Sequence, residues 1–192
     1  MSHADTYLKE VAAIANLVDR EVIEAMATWI NGTRSRGGTV YFAGLGGSAA
    51  NASHAAADFM KLCAVKTDCL TDNVAEVTAR INDEGPKRWL ADALEARGLG
   101  REDALMIFSV GGGNDLASPC LRPAIDLAGK TDTVVMGVVG KADGAVAKDG
   151  DYVLVVPTVA DERVTPHAEA FQSVVTHLLV SHPLLQVRRT KW

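Results

Sequence analysis

The stretch TVYFAGLGGSAANASHAAADF, from Thr39 to Phe59, decides the fold. Its first five residues, 39–43, form an apolar run that predicts a buried strand, and the glycines that follow predict a turn. The alanine-rich remainder predicts a helix from about residue 48 to 65. A strand that is apolar on both faces is typical of a parallel sheet covered by helices on both sides.

The rest of the chain repeats this alternation of short apolar runs and amphipathic stretches. The runs that predict strands are 39–43, 66–70, 104–108, 133–139 and 152–156. The stretches that predict the following helices are 48–65, 74–81, 86–97, 142–147 and 166–181, with one more beginning at Ser118. Strand–helix alternation with right-handed crossovers predicts an α/β fold, a three-layer doubly wound sheet of five parallel strands.

Ahead of the first strand, residues 4–31 predict one long amphipathic helix that ends at the glycines 32, 37 and 38. Apolar residues recur there at spacings of three or four. They are Leu8, Val11, Ala15, Val18, Val22, Met26 and Trp29. So long a stripe predicts packing against other subunits; the alternative is a helix that covers its own sheet.

Composition excludes several classes of protein. Lysine and arginine number 19 against 24 acidic residues, and the net charge of −5 disfavours a nucleic-acid groove. The first residues lack the apolar block of a signal peptide, and no uncharged apolar run reaches the roughly 18 residues of a membrane span. Cys63, Cys69 and Cys120 have no C-x-x-C spacing, which fits a reducing compartment. We therefore expect a cytoplasmic protein without nucleic-acid or membrane partners.

Two glycine turns follow predicted strands, Gly44-Leu45-Gly46-Gly47-Ser48 after the first and Ser109-Val110-Gly111-Gly112-Gly113-Asn114 after the third. Glycine lets backbone N–H groups approach a ligand at a helix N-terminus, so these turns suit phosphate. The alternative is that they only make tight connections between strands and helices. A dinucleotide site is disfavoured, because Gly44-x-Gly46-x-x-Ala49 only approximates the G-x-G-x-x-G pattern.

Two helices carry polar side chains among small or apolar neighbours. His54 and Asp58 lie four residues apart and share one helix face, and the last helix carries Glu169, Gln172 and His177. Two imidazoles and two carboxylates suit a divalent metal such as zinc, or an acid–base pair. Taken singly, each is better explained as a hydrogen-bonded core or interface residue. The functional interpretation requires the two helices to meet.

The stretch from Gly44 to Phe59 resembles the motif of the phosphoheptose isomerase family within the SIS superfamily. That motif reads G-N-G-G-S, a short spacer and then H-x-x-x-E or H-x-x-x-D. The N-terminal helix, Asn82-Asp83, the Ser109 loop and the last helix with His177 follow in the family's order. The resemblance implies a single SIS domain over 1–192, with an oligomerisation helix over 1–35, a sugar-phosphate-binding core over 36–184 and a tail over 185–192.

The family implies a flavodoxin-like sheet, a homotetramer built on the N-terminal helices, and isomerisation of sedoheptulose 7-phosphate to a manno-heptose 7-phosphate, in many members with zinc. By position, Asp58 matches the base or metal ligand, His54 a metal ligand, and His177 the acid or ligand. Glu169 stands where the family has a glutamine ligand. The residues expected to bind substrate or phosphate are Gly46, Gly47, Ser48, Asn82, Asp83, Ser109, Gly111, Gly112, Asn114 and Ser118.

Three departures mark a divergent member. Leu45 replaces the usual asparagine, Asp58 is shorter than glutamate, and the loop written S-T-S-G-N-S in the family has lost hydroxyl donors here. They leave the identity of the sugar open. The sequence predicts an aldose–ketose isomerase in which Asp58 moves the carbon proton and His177 the oxygen protons. The alternative is a non-catalytic SIS module that binds a sugar phosphate or tethers a partner.

Overall fold

The computed structural model describes residues 2–191; the expected domain bounds of 1–192 also include Met1 and Trp192, which lie outside the described residues. The strands are β1 Thr39–Ala43, β2 Lys66–Cys69, β3 Ala104–Ser109, β4 Val134–Val139 and β5 Tyr152–Val155. The helices are α1 His3–Leu17, α2 Arg20–Arg36, α3 Gly47–Cys63, α4 Val74–Asp83, α5 Trp89–Ala96, α6 Leu121–Lys130, α7 Ala145–Asp149 and α8 Val164–Val180. A 3₁₀ turn, Asp161–Arg163, precedes α8.

All five strands are parallel and stand in the order β2-β1-β3-β4-β5, which confirms the predicted fold class. Val40 of β1 lies opposite Thr67 on one side and Ala104 on the other. The chain goes outward from β1 to β2 and then returns to β3 on the opposite side of β1. This reversal places a crevice at the carboxyl ends of β1 and β3, where such sheets bind ligands. Both glycine turns follow these two strands.

Alternate strand residues build two separate cores. Val40 and Phe42 pack into the core formed with α1, α2, α3 and α8. Tyr41 and Ala43 point the other way, into the core formed with α5, α6 and α7. Because both faces of the strand are covered, every residue from Val40 to Ala43 is buried. This double burial explains why the run in the sequence shows no polar alternation.

The prediction of one long N-terminal helix over 4–31 was wrong, because the chain breaks between α1 and α2. Asp19 is the N-cap of α2, and its side chain accepts hydrogen bonds from the N–H groups of Glu21 at 2.9 Å and Val22 at 3.3 Å. Only Ile14 of α1 is fully buried, whereas α2 buries five residues. The apolar spacing runs on across the break, which is why the pattern alone predicted continuity.

The end of α2 also differs from the prediction. The helix continues through Gly32 and ends at Arg36, where Gly37 takes the left-handed conformation with φ of +77°. Position 38 requires a glycine because the chain passes close to the residues that precede β3. A Cβ at this position would lie 1.9 Å from the carbonyl oxygen of Glu102. The helix therefore ends where a left-handed residue and a close backbone approach coincide.

The three cysteines are buried free thiols. Burial raises the pKa of Cys63 and of Cys120 to about 11, and it also raises that of Cys69. These thiols therefore stay protonated at neutral pH. Among the helices of residues 2–191, none has the length and apolar character needed to cross a membrane.

Candidate active site

The first glycine turn connects β1 to α3. Gly46 is the N-cap of α3, with φ of +62° and ψ of −129°, a conformation that residues with a Cβ rarely adopt. A Cβ on Gly47 would lie 2.6 Å from Oε1 of Glu169. The glycine therefore makes room for the α8 carboxylate, which lies against the first turn of α3.

A buried polar contact holds α3 against α8. Gln172 is fully buried, and its Nε2 donates to Oγ of Ser48 at 3.0 Å. Nδ2 of Asn51 donates to Oε1 of Gln172 at 2.9 Å and to the carbonyl oxygen of Glu169 at 2.9 Å. Oγ of Ser173 completes the set by donating to Oδ1 of Asn51 at 3.0 Å. Because each amide has partners on the facing helix, these contacts fix the relative position of the two helices.

The two helices bring His54, Asp58 and His177 together, as the functional interpretation requires. Nε2 of His54 lies 3.2 Å from Oδ2 of Asp58, and Nε2 of His177 lies 3.8 Å from the same oxygen. The two imidazole rings are 5.2 Å apart and nearly perpendicular. Both histidine side chains are more than half exposed, while Asp58 is 22% exposed. The cluster is therefore open to a ligand from solvent.

This cluster offers three potential metal ligands, one ligand atom each, all within 4.8 Å of one another. Two imidazole nitrogens and a carboxylate oxygen, with a further position free for water or substrate, are the donor set of many catalytic zinc sites. The residues therefore fit a divalent ion. Glu169, which we expected as a fourth ligand, does not join the cluster; its carboxylate lies against Gly47 instead.

The second glycine turn is organised by its own side chains. Ser109 ends β3, is buried, and accepts a hydrogen bond at Oγ from the N–H group of Gly112 at 3.0 Å. Oδ1 of Asn114 accepts from the N–H groups of Leu116 and Ala117. Asn114 therefore shapes the loop through local backbone contacts. Gly111 lines a cavity of about 540 Å³ at this edge of the sheet.

Three further expected binding residues lie at the ends of other helices. Ser118 has φ of +55° and stands before α6, which begins at Leu121 rather than at Ser118. Asn82 and Asp83 are exposed at the C-terminal end of α4, where Nδ2 of Asn82 donates to Oδ1 of Asp83 at 2.7 Å.

Sequence reasoning missed two parts of the site. One is the hydrogen bond from Gln172 to Ser48. The sequence feature that could have indicated it is the single amide side chain of Gln172 within an apolar stretch of the last helix. The other is the C-terminal tail, residues 186–191, which forms one wall of a cavity of about 660 Å³ that Asp58 and His177 also line. The signal for the tail was its basic composition, RRTK at 188–191.

Comparison with known proteins agrees with the fold and the motifs. The SIS domain family model matches residues 6–138. A phosphoheptose isomerase of Solidesulfovibrio magneticus is 32% identical over 174 residues, which cover 86% of this chain and 80% of that protein. The lincomycin biosynthesis protein LmbN of Streptomyces lincolnensis is 35% identical over 155 residues, which cover 76% of this chain and 56% of that protein.

The fold is shared with solved structures at lower identity. A phosphoheptose isomerase from Francisella tularensis superposes with a TM-score of 0.80 at 22% identity, covering 94% of this chain and 97% of that one. The family model and the 32% identical relative show that the chain belongs to the SIS domain family, and within it to the phosphoheptose isomerase family.

Proposed function

We propose that the protein is an aldose–ketose isomerase acting on a phosphorylated sugar. The candidate substrate is sedoheptulose 7-phosphate, converted to D-glycero-D-manno-heptose 7-phosphate, or a related phosphosugar. The observation that carries this proposal is the meeting of Asp58 with His54 and His177 between two helices that lie far apart in sequence. Membership of the phosphoheptose isomerase family supports it.

Isomerisation moves one proton between adjacent carbons and another between their oxygens. From the ketose, Asp58 removes a proton from C1 while His177 protonates the oxygen on C2, which gives an enediol. Asp58 then returns the proton to C2, and His177 takes the proton from the oxygen on C1, which gives the aldose. Each of the two groups ends the reaction in the protonation state in which it started. The 3.8 Å between Oδ2 of Asp58 and Nε2 of His177 lets both contact one C–C–O unit.

Alternatively, His54, Asp58 and His177 would hold a zinc or similar divalent ion, one per subunit, and Asp58 and His177 would then serve as ligands in place of their acid–base roles. When bound, such an ion polarises the oxygens of the substrate. Glu169 stays a proposed fourth ligand or orienting group; to reach the cluster its carboxylate has to leave Gly47. In the acid–base alternative, His54 orients Asp58, since its Nε2 lies 3.2 Å from Oδ2.

The glycine turns are the proposed phosphate site. Ser48 and Ser109 each accept a hydrogen bond at Oγ, from Gln172 and Gly112 respectively, so each keeps its own O–H proton to donate to a phosphate oxygen. The remaining proposed members supply backbone N–H groups or polar side chains around the crevice. They are Gly46, Gly47, Gly111, Gly112, Asn114, Ser118, Asn82 and Asp83.

The proposed assembly is a homotetramer formed through the N-terminal helices. Leu8 and Leu17 of α1 are 65% and 63% exposed, and Val174 and Leu178 of α8 are also exposed. Val174 and Leu178 line a mostly apolar groove between α2 and α8, to which Ala15 of α1 also contributes. Contiguous apolar surface of this kind favours contact with another protein surface. The division into helix, core and tail stays a prediction.

We place the protein in the cytoplasm. The buried, protonated thiols suit a reducing compartment, and sugar phosphates are made and used there. The net charge of −5 gives no support for nucleic acid as a partner. The expected partner is the phosphorylated sugar.

One observation favours a second function, that of a non-catalytic module that binds a sugar phosphate. After Ser109 the second turn reads Val110-Gly111-Gly112-Gly113, so side-chain hydroxyls are absent from the part of the turn where a phosphate would bind. Binding there would rely on backbone N–H groups.

Hydrogen exchange at carbon distinguishes the two functions. The protein is incubated in deuterated water with ketose phosphates of six and seven carbons, and deuterium at C1 or C2 is measured by NMR. An isomerase incorporates deuterium with at least one of them and forms the aldose. A binding module incorporates none, although it still binds the sugar phosphate.

A further inference from the structure

The segment that follows β4 is packed directly against the second glycine turn. The N–H group of Gly140 donates to the carbonyl oxygen of Val110 at 2.9 Å, and the N–H group of Val146 donates to that of Gly112 at 2.9 Å. A Cβ on Gly144 would lie 2.6 Å from Cα of Gly112, so the two backbones touch without side chains between them. The segment after β4 therefore has a fixed position beside the proposed phosphate turn.

Lys141 lies in this fixed segment, at the edge of the sheet where the strands end. It lines the cavity of about 540 Å³ that Val110 and Gly111 of the second glycine turn also line. Among the lining residues within 2–191, Lys141 is the only cation. It is exposed, and no side chain of the described chain forms an ion pair with its ammonium group. An unpaired ammonium beside a turn rich in backbone N–H groups raises the positive potential there.

The other wall of this cavity is the connection between β5 and α8, which supplies two hydroxyls and two carboxylates. The hydroxyls are those of Thr158 and Thr165. The carboxylate of Glu162 is paired with Arg163 at 2.8 Å, whereas Asp161 has no such partner in the described chain. An anion is therefore favoured beside the glycine turn, and neutral sugar hydroxyls, which donate to carboxylates, are favoured beside Asp161.

We propose that Lys141 binds the phosphate group of the sugar phosphate that the second glycine turn holds. The inference rests on the proposed function for the identity of the ligand and for the place of its phosphate. After Ser109 the turn has no hydroxyl donors where a phosphate would bind, so backbone N–H groups alone would have to compensate a dianion. A lysine ammonium on its flexible stem supplies the missing positive charge. Lys141 acts in binding, with no part in proton transfer.

Lys130 provides a matched control. It carries the same charge and is also exposed, but it ends α6, which leads into the amino end of β4. Lys141 follows the carboxyl end of the same strand, so the two lysines lie at opposite edges of the sheet. Replacing either one by alanine changes the net charge equally, and Lys130 does not line the cavity.

The test is calorimetric titration of wild type, Lys141→Ala and Lys130→Ala at low salt. Three ligands are compared: sedoheptulose 7-phosphate, inorganic phosphate and the uncharged sugar sedoheptulose. We expect Lys141→Ala to bind the two phosphate compounds about threefold to tenfold more weakly, and Lys130→Ala to stay within about twofold of wild type. The affinity for sedoheptulose should be the same in all three proteins.

Four results would overturn the proposal. In the first, Lys141→Ala binds the phosphate compounds as tightly as wild type. In the second, Lys130→Ala is weakened as much as Lys141→Ala, because net charge alone would then explain the loss. In the third, Lys141→Ala loses the same factor for sedoheptulose, because the contact would not be with the phosphate. In the fourth, wild type binds neither phosphate compound more tightly than sedoheptulose.

Carbon-proton exchange on the same three proteins separates this inference from the proposed function. If phosphate binding depends on Lys141 but wild type exchanges no carbon-bound proton, the anion site stands and the isomerase does not. If wild type exchanges protons and Lys141→Ala keeps the same KM, the isomerase stands and the role of Lys141 does not. If both hold, KM should rise in Lys141→Ala while kcat stays close to wild type.

Discussion

Asp58 is the residue on which the proposed chemistry depends most. It lies between two imidazoles and is the most buried of the three cluster residues. Asp58→Asn keeps the size of the side chain and removes the basic oxygen, so we expect kcat to fall by roughly 10²–10⁴-fold. His177→Gln should cause a comparable loss. Both are measured as initial rates of ketose-to-aldose conversion at saturating substrate.

The control for Asp58 is Asp126→Asn, which changes the same functional group at an exposed position of α6, paired only loosely with Arg122 at 3.7 Å. It should leave kcat unchanged. A variant Asp58→Asn that keeps the full rate would leave the family assignment intact and remove Asp58 from the role of base.

The backbone conformation of the first glycine turn depends on Gly46. Its φ of +62° and ψ of −129° are accessible to glycine and strained for alanine. Gly46→Ala should therefore lower the free energy of unfolding by about 1–3 kcal/mol, measured by urea denaturation.

Gly129→Ala is the matched control for Gly46→Ala. Gly129 lies in α6, and a Cβ there would meet no atom within 4 Å. Because alanine favours helix, this variant should be neutral or slightly more stable than wild type. If both glycine variants had the same stability, the first turn would not need its glycine conformation.

At the scale of helices and strands, acid stability depends on the contact between α4 and α5. Hydrogen bonds from Arg97, helped by Arg80, lower the pKa of Glu76 to about 2. A carboxylate whose pKa is lowered by folding adds stability above its unfolded pKa of about 4.5 and loses it as the pH falls towards 2. Glu76→Gln should therefore be less stable than wild type at pH 7, with the difference shrinking between pH 4.5 and 2.

Urea denaturation at a series of pH values measures this effect. Glu95→Gln is a suitable control, because Glu95 is an exposed residue of α5 with the same charge. A stability difference between Glu76→Gln and wild type that stays constant down to pH 2 would contradict the assignment of the lowered pKa.

The elements show why part of the fold was predictable. Each strand in the middle of the sheet is covered on both faces, so it appears in the sequence as an uninterrupted run of apolar residues. The sequence pattern did not predict the break between α1 and α2 at Asp19, because the apolar spacing continues from Val18 to Val22 across it. The sequence also did not predict that the C-terminal tail packs against the end of α3. The N–H groups of Val187 and Arg188 donate to the carbonyl oxygen of Leu62, and hydrogen bonds between backbone groups require no particular side chains.

The site was predictable in its members and unpredictable in its geometry. Spacing places His54 and Asp58 on one helix face, but their contact with His177 depends on how α3 packs against α8. That packing is set by Gln172 and Asn51, whose partners lie more than a hundred residues away. The same packing leaves the carboxylate of Glu169 against Gly47 and outside the cluster.

For the whole molecule, the exposed apolar side chains of α1 predict assembly. Wild type at micromolar concentration should show four chain masses in light scattering. Leu17→Asp places a charge on a side chain that is 63% exposed in the isolated chain, so it should shift the protein to smaller species without unfolding it. Val74→Asp, at a 72% exposed position on α4, is the control and should keep the wild-type mass. A monomeric wild type would contradict the prediction.

The central claim concerns the whole molecule as an enzyme: that α3 and α8 meet to form an acid–base site for a phosphorylated sugar. Exchange of carbon-bound hydrogen tests it most directly, because only proton abstraction at carbon exchanges that hydrogen. Wild type should incorporate deuterium at C1 or C2 of a ketose phosphate in deuterated water, and Asp58→Asn should incorporate it far more slowly. Absence of incorporation by wild type with every ketose phosphate of six or seven carbons would contradict the claim.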